Sequence, residues 1–185
     1  MISAYLAGPD VFLPNAAVHA RRKVEICARH GILGRPPLNE DVPALGAMAD
    51  ADAWWTIFRK DLALMEACEV VIANLTPFRG ASADSGTLVE IGWFLGHGRP
   101  VFGYSNTATP FDARSRAQVE AVPDPLPGLA VEGFGLPDNL MIPGAVREGG
   151  GRMLLPADGR DRPFDALDVF EECVALAAKA VAAAV

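Results

Sequence analysis

The chain is predicted to fold as one α/β domain, a doubly wound (Rossmann-like or flavodoxin-like) parallel sheet of about five strands flanked by helices. Short apolar runs alternate with longer helix-like segments, which is the order of a parallel sheet covered by helices on both faces. The run over 70–75 is apolar apart from Asn74, as expected for a central parallel strand. The length of 185 residues, with 51% hydrophobic and 21% charged residues, indicates a single globular domain over 1–185.

The first half of the chain carries the clearest signals for helices and strands. Asn15 is predicted to cap the first helix, and Gly31 to end it. In the second helix, Trp54 and Phe58 recur with other apolar residues at three- and four-residue spacing, so we expect both to pack in the core. The predicted elements are a strand over 2–7, a helix over about 16–30, a weak strand over 32–33, a loop over 38–52, a helix over 53–66, a strand over 70–75, a loop over 76–83 and a helix over 85–97.

The second half gives weaker patterns. A buried strand is predicted over 100–104. Residues 105–146, which are rich in proline and glycine, are predicted to form a long irregular loop, and loops of this length are commonly functional or lie at an interface. The Ala- and Val-rich stretch over about 164–184 is predicted to be a C-terminal helix.

Composition excludes several classes of function. A net charge of −7 provides no basic field for a nucleic-acid backbone. Cys27, Cys68 and Cys173 form no CxxC pair, so we expect buried free thiols in a reducing compartment. The first residues lack the basic and long apolar regions of a signal peptide, and no apolar run reaches the length of a membrane span. A cytoplasmic protein without membrane partners is therefore expected.

No phosphate-binding or metal-binding motif is present. Gly8 stands alone after the first strand, with no GxGxxG spacing, and the chain has no GxxxxGK[ST] loop. His19, His30 and His97 lack the spacing of metal ligands and are predicted to be surface or cap residues. We therefore expect neither a nucleotide cofactor nor a metal.

The candidate chemistry is that of carboxylates. Asp61, Asp84 and Glu90 lie in the helix before the central strand, in the loop after it and in the next helix. Carboxylates can attack a sugar carbon, and a second carboxyl group can protonate a leaving group. Ser82 and Ser85 lack a nearby base, so neither is a better nucleophile.

Each acid also has a purely structural interpretation. Asp84 can be only a helix cap, and Glu90 only a solvated glutamate near a positive helix end. The neighbours of Glu90 are unusually apolar for a solvated acid (Leu88, Val89, Ile91, Trp93, Phe94 and Leu95), which favours the catalytic interpretation. Both interpretations remain open at this point.

Four segments carry a family resemblance. They are Tyr5-Leu6-Ala7-Gly8-Pro9, Lys60-Asp61-Leu62, the block from Asp84 to Gly92 (DSGTLVEIG), and Asn139-Leu140-Met141. Together they resemble the nucleoside 2-deoxyribosyltransferase family from residue 2 to about 142. The block from Asp84 to Gly92 is the most specific of the four, since it resembles the family's D-x-G-T-x-x-E-[LI]-G motif.

The resemblance implies a mechanism and its residues. Glu90 would be the nucleophile, oriented by a hydrogen bond from Tyr5, while Asp84 and Asp61 would hold the nucleobase. Further substrate contacts are expected from the glycines of the matched motifs, from an aromatic ring that stacks on the base and from a segment inserted by a neighbouring subunit; these residues are Gly8, Gly86, Phe12, Asn139 and Met141. The expected partners are deoxyribonucleosides, free nucleobases and further copies of the chain in a homo-oligomer, with no cofactor.

Two alternatives accompany this prediction. A related group hydrolyses 2'-deoxynucleoside 5'-monophosphates, but Asp84 would repel a phosphate; Arg79 and Ser82 leave room for this activity. The other alternative is a nucleoside-binding module without turnover, which the intact Tyr5, Asp84 and Glu90 set argues against.

Overall fold

A computed structural model describes residues 1–39, 49–122 and 127–183. The described strands are β1 (Ile2–Tyr5), β2 (Ile32–Arg35), β3 (Val70–Asn74), β4 (Val101–Tyr104) and β5 (Gly150–Leu154). They form one parallel sheet in the order β2-β1-β3-β4-β5. The predicted fold class is confirmed, and the strand order is the flavodoxin-like one.

Helices cover both faces of this sheet. They are α1 (Ala16–Arg29), α2 (Asp50–Glu66), α3 (Ser85–Gly96), α4 (Phe111–Ala121), α5 (Met141–Glu148) and α6 (Asp168–Ala182), with a short 3-10 helix over Pro9–Phe12. Successive residues of β1 point to opposite faces, so Ala4 packs with residues of α1 and α6 while Tyr5 packs with Ile91 and Phe94 of α3. Tyr5 therefore faces the helix that carries Glu90.

The strand order places a crevice at one edge of the sheet. The chain leaves β1 toward β2 and later returns to β3 on the other side of β1, so β1 and β3 flank the switch point. Ligands of open α/β sheets bind at the carboxyl ends of the strands beside such a point. The turn after β1 and the loop after β3 both lie at this edge.

The prediction of an irregular region over 105–146 was wrong in part. Helix α4 lies within it, and α5 begins at its end. Helix α4 has no buried residue, so it lacks the apolar periodicity by which helices are recognised in sequence. Strand β5 was not assigned in the sequence, because its first two residues are glycines and it lies at the sheet edge.

Several boundaries and side chains also differ from expectation. Helix α2 begins at Asp50, before the predicted start, and most of the predicted loop over 38–52 lies outside the described residues. Asn15 occupies the cap position of α1, but its side chain makes no capping hydrogen bond. Trp54 is 60% exposed and Phe58 is also exposed, so their predicted core packing was wrong. The other end of α2, around Met65, is the part that enters the core.

The C-terminal helix begins at Asp168 rather than near 164. The side chain of Asn106 donates to the backbone oxygens of Phe164 (2.8 Å) and Ala166 (3.0 Å), which holds that segment as a loop. The predicted buried free thiols are confirmed for Cys27, Cys68 and Cys173. No helix within the described ranges is long and apolar enough to cross a membrane.

Candidate active site

A tyrosine and a glutamate meet beneath the carboxyl edge of the sheet. Tyr5 is the last residue of β1 and is fully buried, and its Oη donates to Oε1 of Glu90 at 2.5 Å. Glu90 lies in the second turn of α3, the face of which packs on β1 and β3 through Ile91 and Phe94. The hydrogen bond predicted from the resemblance is therefore present.

The surroundings of Glu90 raise the pKa of its carboxyl group into the neutral pH range. Burial is the main reason that the pKa of Glu90 rises to about 7, and the negative charges of Asp61 and Asp84 raise it further. The hydrogen bond from Tyr5 acts in the opposite direction, because it stabilises the carboxylate. Burial and the neighbouring Glu90 raise the pKa of Tyr5 well above its usual value, so Tyr5 keeps its proton and remains a donor.

Asp84 caps the helix and also acts on Glu90. Its Oδ2 accepts from the backbone N of Thr87 at 3.0 Å and from Thr87 Oγ1 at 3.2 Å. Asp84 is therefore a helix cap, as its structural interpretation predicts. The same carboxylate contributes to the raised pKa of Glu90. A Cβ at position 86 would lie 3.0 Å from Asp84 Oδ2, so Gly86 leaves room for this cap.

The structure thus brings four predicted residues together. Asp61, which is half-buried on α2, acts electrostatically on both Tyr5 and Glu90. Asp84 approaches from the start of α3. Three acids around one buried tyrosine suit a site where one carboxylate is ionised and another carries a proton.

Gly8 lies in the turn that follows β1. Its φ of 147° is unfavourable for residues with a side chain, and a Cβ there would lie 2.7 Å from Cβ of Asn74 on β3. Glycine therefore allows this turn to pack directly against β3. The turn leads into the 3-10 helix that carries Phe12.

A buried polar cluster supports this turn and was not predicted. Asp10 pairs with Nζ of Lys23 at 2.5 Å, accepts from Nδ2 of Asn74 at 2.8 Å and lies 3.6 Å from Nε2 of His19. Despite burial, these partners, with Lys23 first, hold the pKa of Asp10 well below its usual value. His19 is buried, so its prediction as a surface or cap residue was wrong, whereas His30 and His97 are indeed C-caps.

Phe12 lies in an open aromatic cluster at the same edge of the sheet. It is 62% exposed, and its ring stacks on Phe78 at 5.5 Å between centroids. The Arg79 guanidinium lies 5.0 Å from the Phe78 ring centre and 5.8 Å from that of Phe12. A cavity of about 240 Å³ is lined by these residues together with Pro9, Leu13, Pro77 and Phe164. Phe12 is therefore exposed enough to stack on a planar ligand.

Among the described residues of one chain, no hydrogen bond or ion pair links the Asn139 segment, residues 139–141, to Glu90. The Asn139 side chain donates to Glu132 at 2.9 Å and accepts from the backbone N of Met141 at 3.1 Å. Met141 is 70% exposed, and Leu140 is exposed as well. Asn139 thus supports the start of α5, while the two residues after it face outward.

Ser82 has an acidic partner that sequence reasoning missed. Its Oγ donates to Oδ1 of Asp138 at 2.6 Å, so the prediction that Ser82 lacks a nearby base was wrong, because this carboxylate can accept its proton. The two residues are 56 positions apart, and no local pattern links them. The described residues contain no group of three or more His, Cys, Asp or Glu side chains arranged to hold a metal ion.

Comparison with known proteins gives one family. The family model for nucleoside 2-deoxyribosyltransferase matches residues 4–141. A protein of Schizosaccharomyces pombe, described as uncharacterized protein C191.05c, is 30% identical over 164 residues, which are 80% of this chain and 78% of that protein.

Solved structures resemble the chain over most of its length. A 2-desoxiribosyltransferase from Leishmania mexicana is 27% identical with a TM-score of 0.62, covering 97% of this chain and 98% of that one. A 2-deoxyribosyltransferase from Bacillus psychrosaccharolyticus (19% identity, TM-score 0.51) covers 78% of this chain and 82% of its own. A conserved protein from Enterococcus faecalis (19% identity, TM-score 0.55) covers 94% and 97%. The last two show similarity of fold alone.

Proposed function

Because the chain belongs to the nucleoside 2-deoxyribosyltransferase family, we propose that it transfers 2-deoxyribose between nucleobases by double displacement. The observation that carries this proposal is the 2.5 Å hydrogen bond from Tyr5 to Glu90, a half-buried carboxylate at the ligand-binding edge of the sheet. Such a carboxylate can attack a sugar carbon, while its tyrosine partner fixes the direction of attack.

The first half-reaction forms a glycosyl-enzyme. An oxygen of ionised Glu90 attacks C1' of the deoxyribonucleoside, and the N-glycosidic bond breaks through an oxocarbenium-like transition state. The bonding electrons pass to the nucleobase nitrogen, and the departing base takes up one proton, which Asp84 and Asp61 share while the pair keeps one negative charge. The free base leaves, and deoxyribose remains as an ester of Glu90.

The second half-reaction restores the enzyme. A nitrogen of the incoming base attacks C1', the ester bond breaks, and its electrons return to Glu90 as a carboxylate. The incoming base gives up a proton to the acidic pair, which balances the proton spent in the first step. Two inversions at C1' retain the β-configuration, and water in place of the base gives slow hydrolysis.

The proposed substrate contacts come from residues at the carboxyl edge of the sheet. Phe12, with most of its ring exposed, stacks on the nucleobase. Gly8 and Gly86 allow close approach of the backbone, because neither carries a side chain into the turn after β1 or the start of α3. Asp61 and Asp84 hydrogen-bond the base.

We further propose a homo-oligomer in which the Asn139–Met141 segment completes a neighbouring site. Exposed Met141 and Leu140 would enter that site, while Asn139 orients them from the start of α5. Subunit mixing tests this arrangement: a Glu90→Ala chain mixed with a Met141→Ala chain should be more active than either alone. A wild-type chain that stays fully active as a monomer at assay dilution would contradict it.

The alternative activity, hydrolysis of 2'-deoxynucleoside 5'-monophosphates, is favoured by one observation. Arg79 adopts a left-handed backbone conformation (φ 54°) that is uncommon for a residue with a side chain, and it presents a cation beside Phe12. The carboxylate of Asp84 at the start of α3 opposes phosphate binding.

One experiment separates the proposed activities. The protein is incubated with deoxyinosine and free adenine, and deoxyadenosine is sought by chromatography; its formation supports base exchange. Release of hypoxanthine from deoxyinosine monophosphate but not from deoxyinosine would favour the hydrolase. Nucleoside binding without any product would favour a module without turnover.

Tyr5→Phe should shift the pH dependence of base exchange. Removing the hydrogen bond takes away the interaction that lowers the pKa of Glu90, so this pKa rises above about 7. A hydrogen bond to a charged group contributes roughly 1.5–3 kcal/mol, so the acid limb of kcat/KM should move up by about one to two pH units. Tyr104→Phe, on the opposite face of the sheet, is the matched control and should leave the limb in place. An unchanged limb in Tyr5→Phe would contradict the proposed role of Tyr5.

A further inference from the structure

A buried carboxylate outside the Tyr5–Glu90 pair joins two segments that are distant in sequence. Asp138 is fully buried, with 0% of its surface exposed. Its Oδ1 accepts from Oγ of Ser82 at 2.6 Å and from the backbone N of Asn139 at 2.8 Å. Its Oδ2 accepts from the backbone N of Ala83 at 2.9 Å, and Nη2 of Arg114 lies 3.8 Å from the same oxygen.

Arg114 of α4 binds the same two segments. Its Nε donates to the backbone oxygen of Ala81 at 2.9 Å, and its Nη2 donates to that of Pro137 at 2.9 Å. The loop over 81–83 and the segment over 137–139 are therefore held together by one partly buried pair of opposite charges. Charge-assisted hydrogen bonds of this kind are stronger than neutral ones and more restrictive in geometry.

Each segment leads directly into a residue of the proposed site. Ala83 precedes Asp84, which caps α3, and α3 carries Glu90 six residues later. Asn139 begins the stretch that ends at exposed Met141. A displacement of either segment would therefore move a group that contacts substrate.

We propose that Asp138 is a positioning residue that fixes Asp84 for its own site and the Asn139–Met141 segment for a neighbour's site. Its Oδ2 holds the backbone N–H directly before Asp84, whereas Oδ1 holds Asn139 and, through Ser82, the same loop before Asp84. The inference rests on the proposed function, because it gives Asp84 and Met141 their contacts with substrate.

Position 138 requires a carboxylate because all of the polar groups around this side chain are hydrogen-bond donors. Asparagine at position 138 keeps one oxygen for Ser82 and Asn139 but turns an NH2 group toward the N–H of Ala83, which leaves two donors facing each other. Alanine removes both oxygens. Asparagine therefore removes only the acceptor of the Ala83 N–H, whereas alanine releases both segments.

The test compares Asp138→Asn and Asp138→Ala in base exchange and in amide hydrogen exchange. Asp138→Asn should lower kcat by about 10- to 100-fold, because the N–H of Ala83 at the start of α3 loses its acceptor and Asp84 is displaced. Asp138→Ala should also raise KM, because the Asn139 segment is released as well. The amide of Ala83 should lose protection in both variants, and that of Asn139 only in Asp138→Ala.

Asp161→Asn is the matched control. Asp161 also accepts from loop amides, those of Ala108 (2.7 Å) and Thr109 (3.3 Å), but it contacts neither segment. It should leave kcat and KM at wild-type values. Equal losses in Asp161→Asn and Asp138→Asn would overturn the inference, as would wild-type kcat in Asp138→Asn.

The two remaining cases are Asp138 variants that do not fold and a wild-type protein that shows no base exchange. If the Asp138 variants do not fold, Ser82→Ala, which removes one donor to Oδ1, should lower kcat/KM about threefold, and wild-type kinetics would overturn the inference. If the wild-type protein shows no base exchange, the proposed function fails, and the amide of Ala83 then decides separately whether Asp138 holds the start of α3.

Discussion

Replacing Glu90 with alanine is expected to lower base exchange by on the order of 10⁴-fold or more, since loss of a catalytic nucleophile has effects of at least this size. Neither Ser82 nor His19 can replace it. The Ser82 hydroxyl is bound to Asp138, whose oxygens are engaged by backbone N–H groups. His19 is buried beside Asp10.

The measurements are chromatographic base exchange and mass spectrometry of the protein. Wild-type protein given deoxyinosine without an acceptor base should gain the mass of one deoxyribosyl group, located on the peptide that contains Glu90. Glu172→Ala, which removes an exposed glutamate of α6, is the control and should behave as wild type. Exchange at the wild-type rate in Glu90→Ala would end the proposed mechanism.

Glu90→Gln shows whether loss of activity reflects unfolding. With a pKa of about 7 instead of 4.5, ionised Glu90 costs up to about 3 kcal/mol of unfolding free energy at about 1.36 kcal/mol per pH unit. The native state holds the proton that the unfolded state has released, so wild-type stability falls between about pH 4.5 and 7. Glutamine can still accept the Tyr5 hydrogen bond, so the variant should be inactive yet more stable than wild type in urea at pH 8, with little difference at pH 4.

The fold could be predicted from the sequence because its central strand is buried on both faces of the sheet and is therefore rich in apolar residues. Every residue of β3 is buried, and its run of apolar residues is a signal that no amphipathic helix gives. The same type of signal is missing from α4, which has no fully buried residue, and from β5, where Gly151 lies against Val101 so closely that a Cβ would overlap the Val101 carbonyl oxygen. Elements that contribute little apolar surface are therefore the ones that pattern analysis misses.

Helical spacing alone could not show which part of a helix is covered. Trp54, Phe58 and Met65 share the spacing of one apolar stripe, yet only Met65 reaches the core. Coverage depends on where the sheet and its neighbouring helices end, which is a property of the tertiary structure.

The residues of the candidate site also fall into those that could be predicted from the sequence and those that could not. Resemblance placed Tyr5 and Glu90 together across 85 positions, and the structure contains that hydrogen bond. Asp10 and Asp138 were missed because their partners come from several different elements, and no spacing within one segment encodes such contacts.

Lys23→Met is expected to destabilise the protein by roughly 3–5 kcal/mol, the usual cost of leaving one member of a buried ion pair uncompensated. Lys23 is 2% exposed, and its Nζ lies 2.5 Å from Asp10 Oδ2 and 4.6 Å from the Phe170 ring centre. Methionine fills a similar volume, so the loss comes mainly from the charge. Urea unfolding at pH 7 measures it, and Lys179→Met, an exposed lysine of α6, should change stability by less than about 0.5 kcal/mol.

The double variant Asp10→Asn/Lys23→Met isolates the ion pair from packing. It should cost less than the sum of the two single variants, since it leaves no unpaired charge. Acid gives a second check: the depressed pKa of Asp10 means that its pairing stabilises the protein above its usual pKa of 3.8 and is lost as the pH falls further. The difference between wild type and Lys23→Met should therefore narrow below about pH 4. A Lys23→Met protein within 1 kcal/mol of wild type at pH 7 would show that the pair is not what holds the turn of Gly8 and Phe12 against β3.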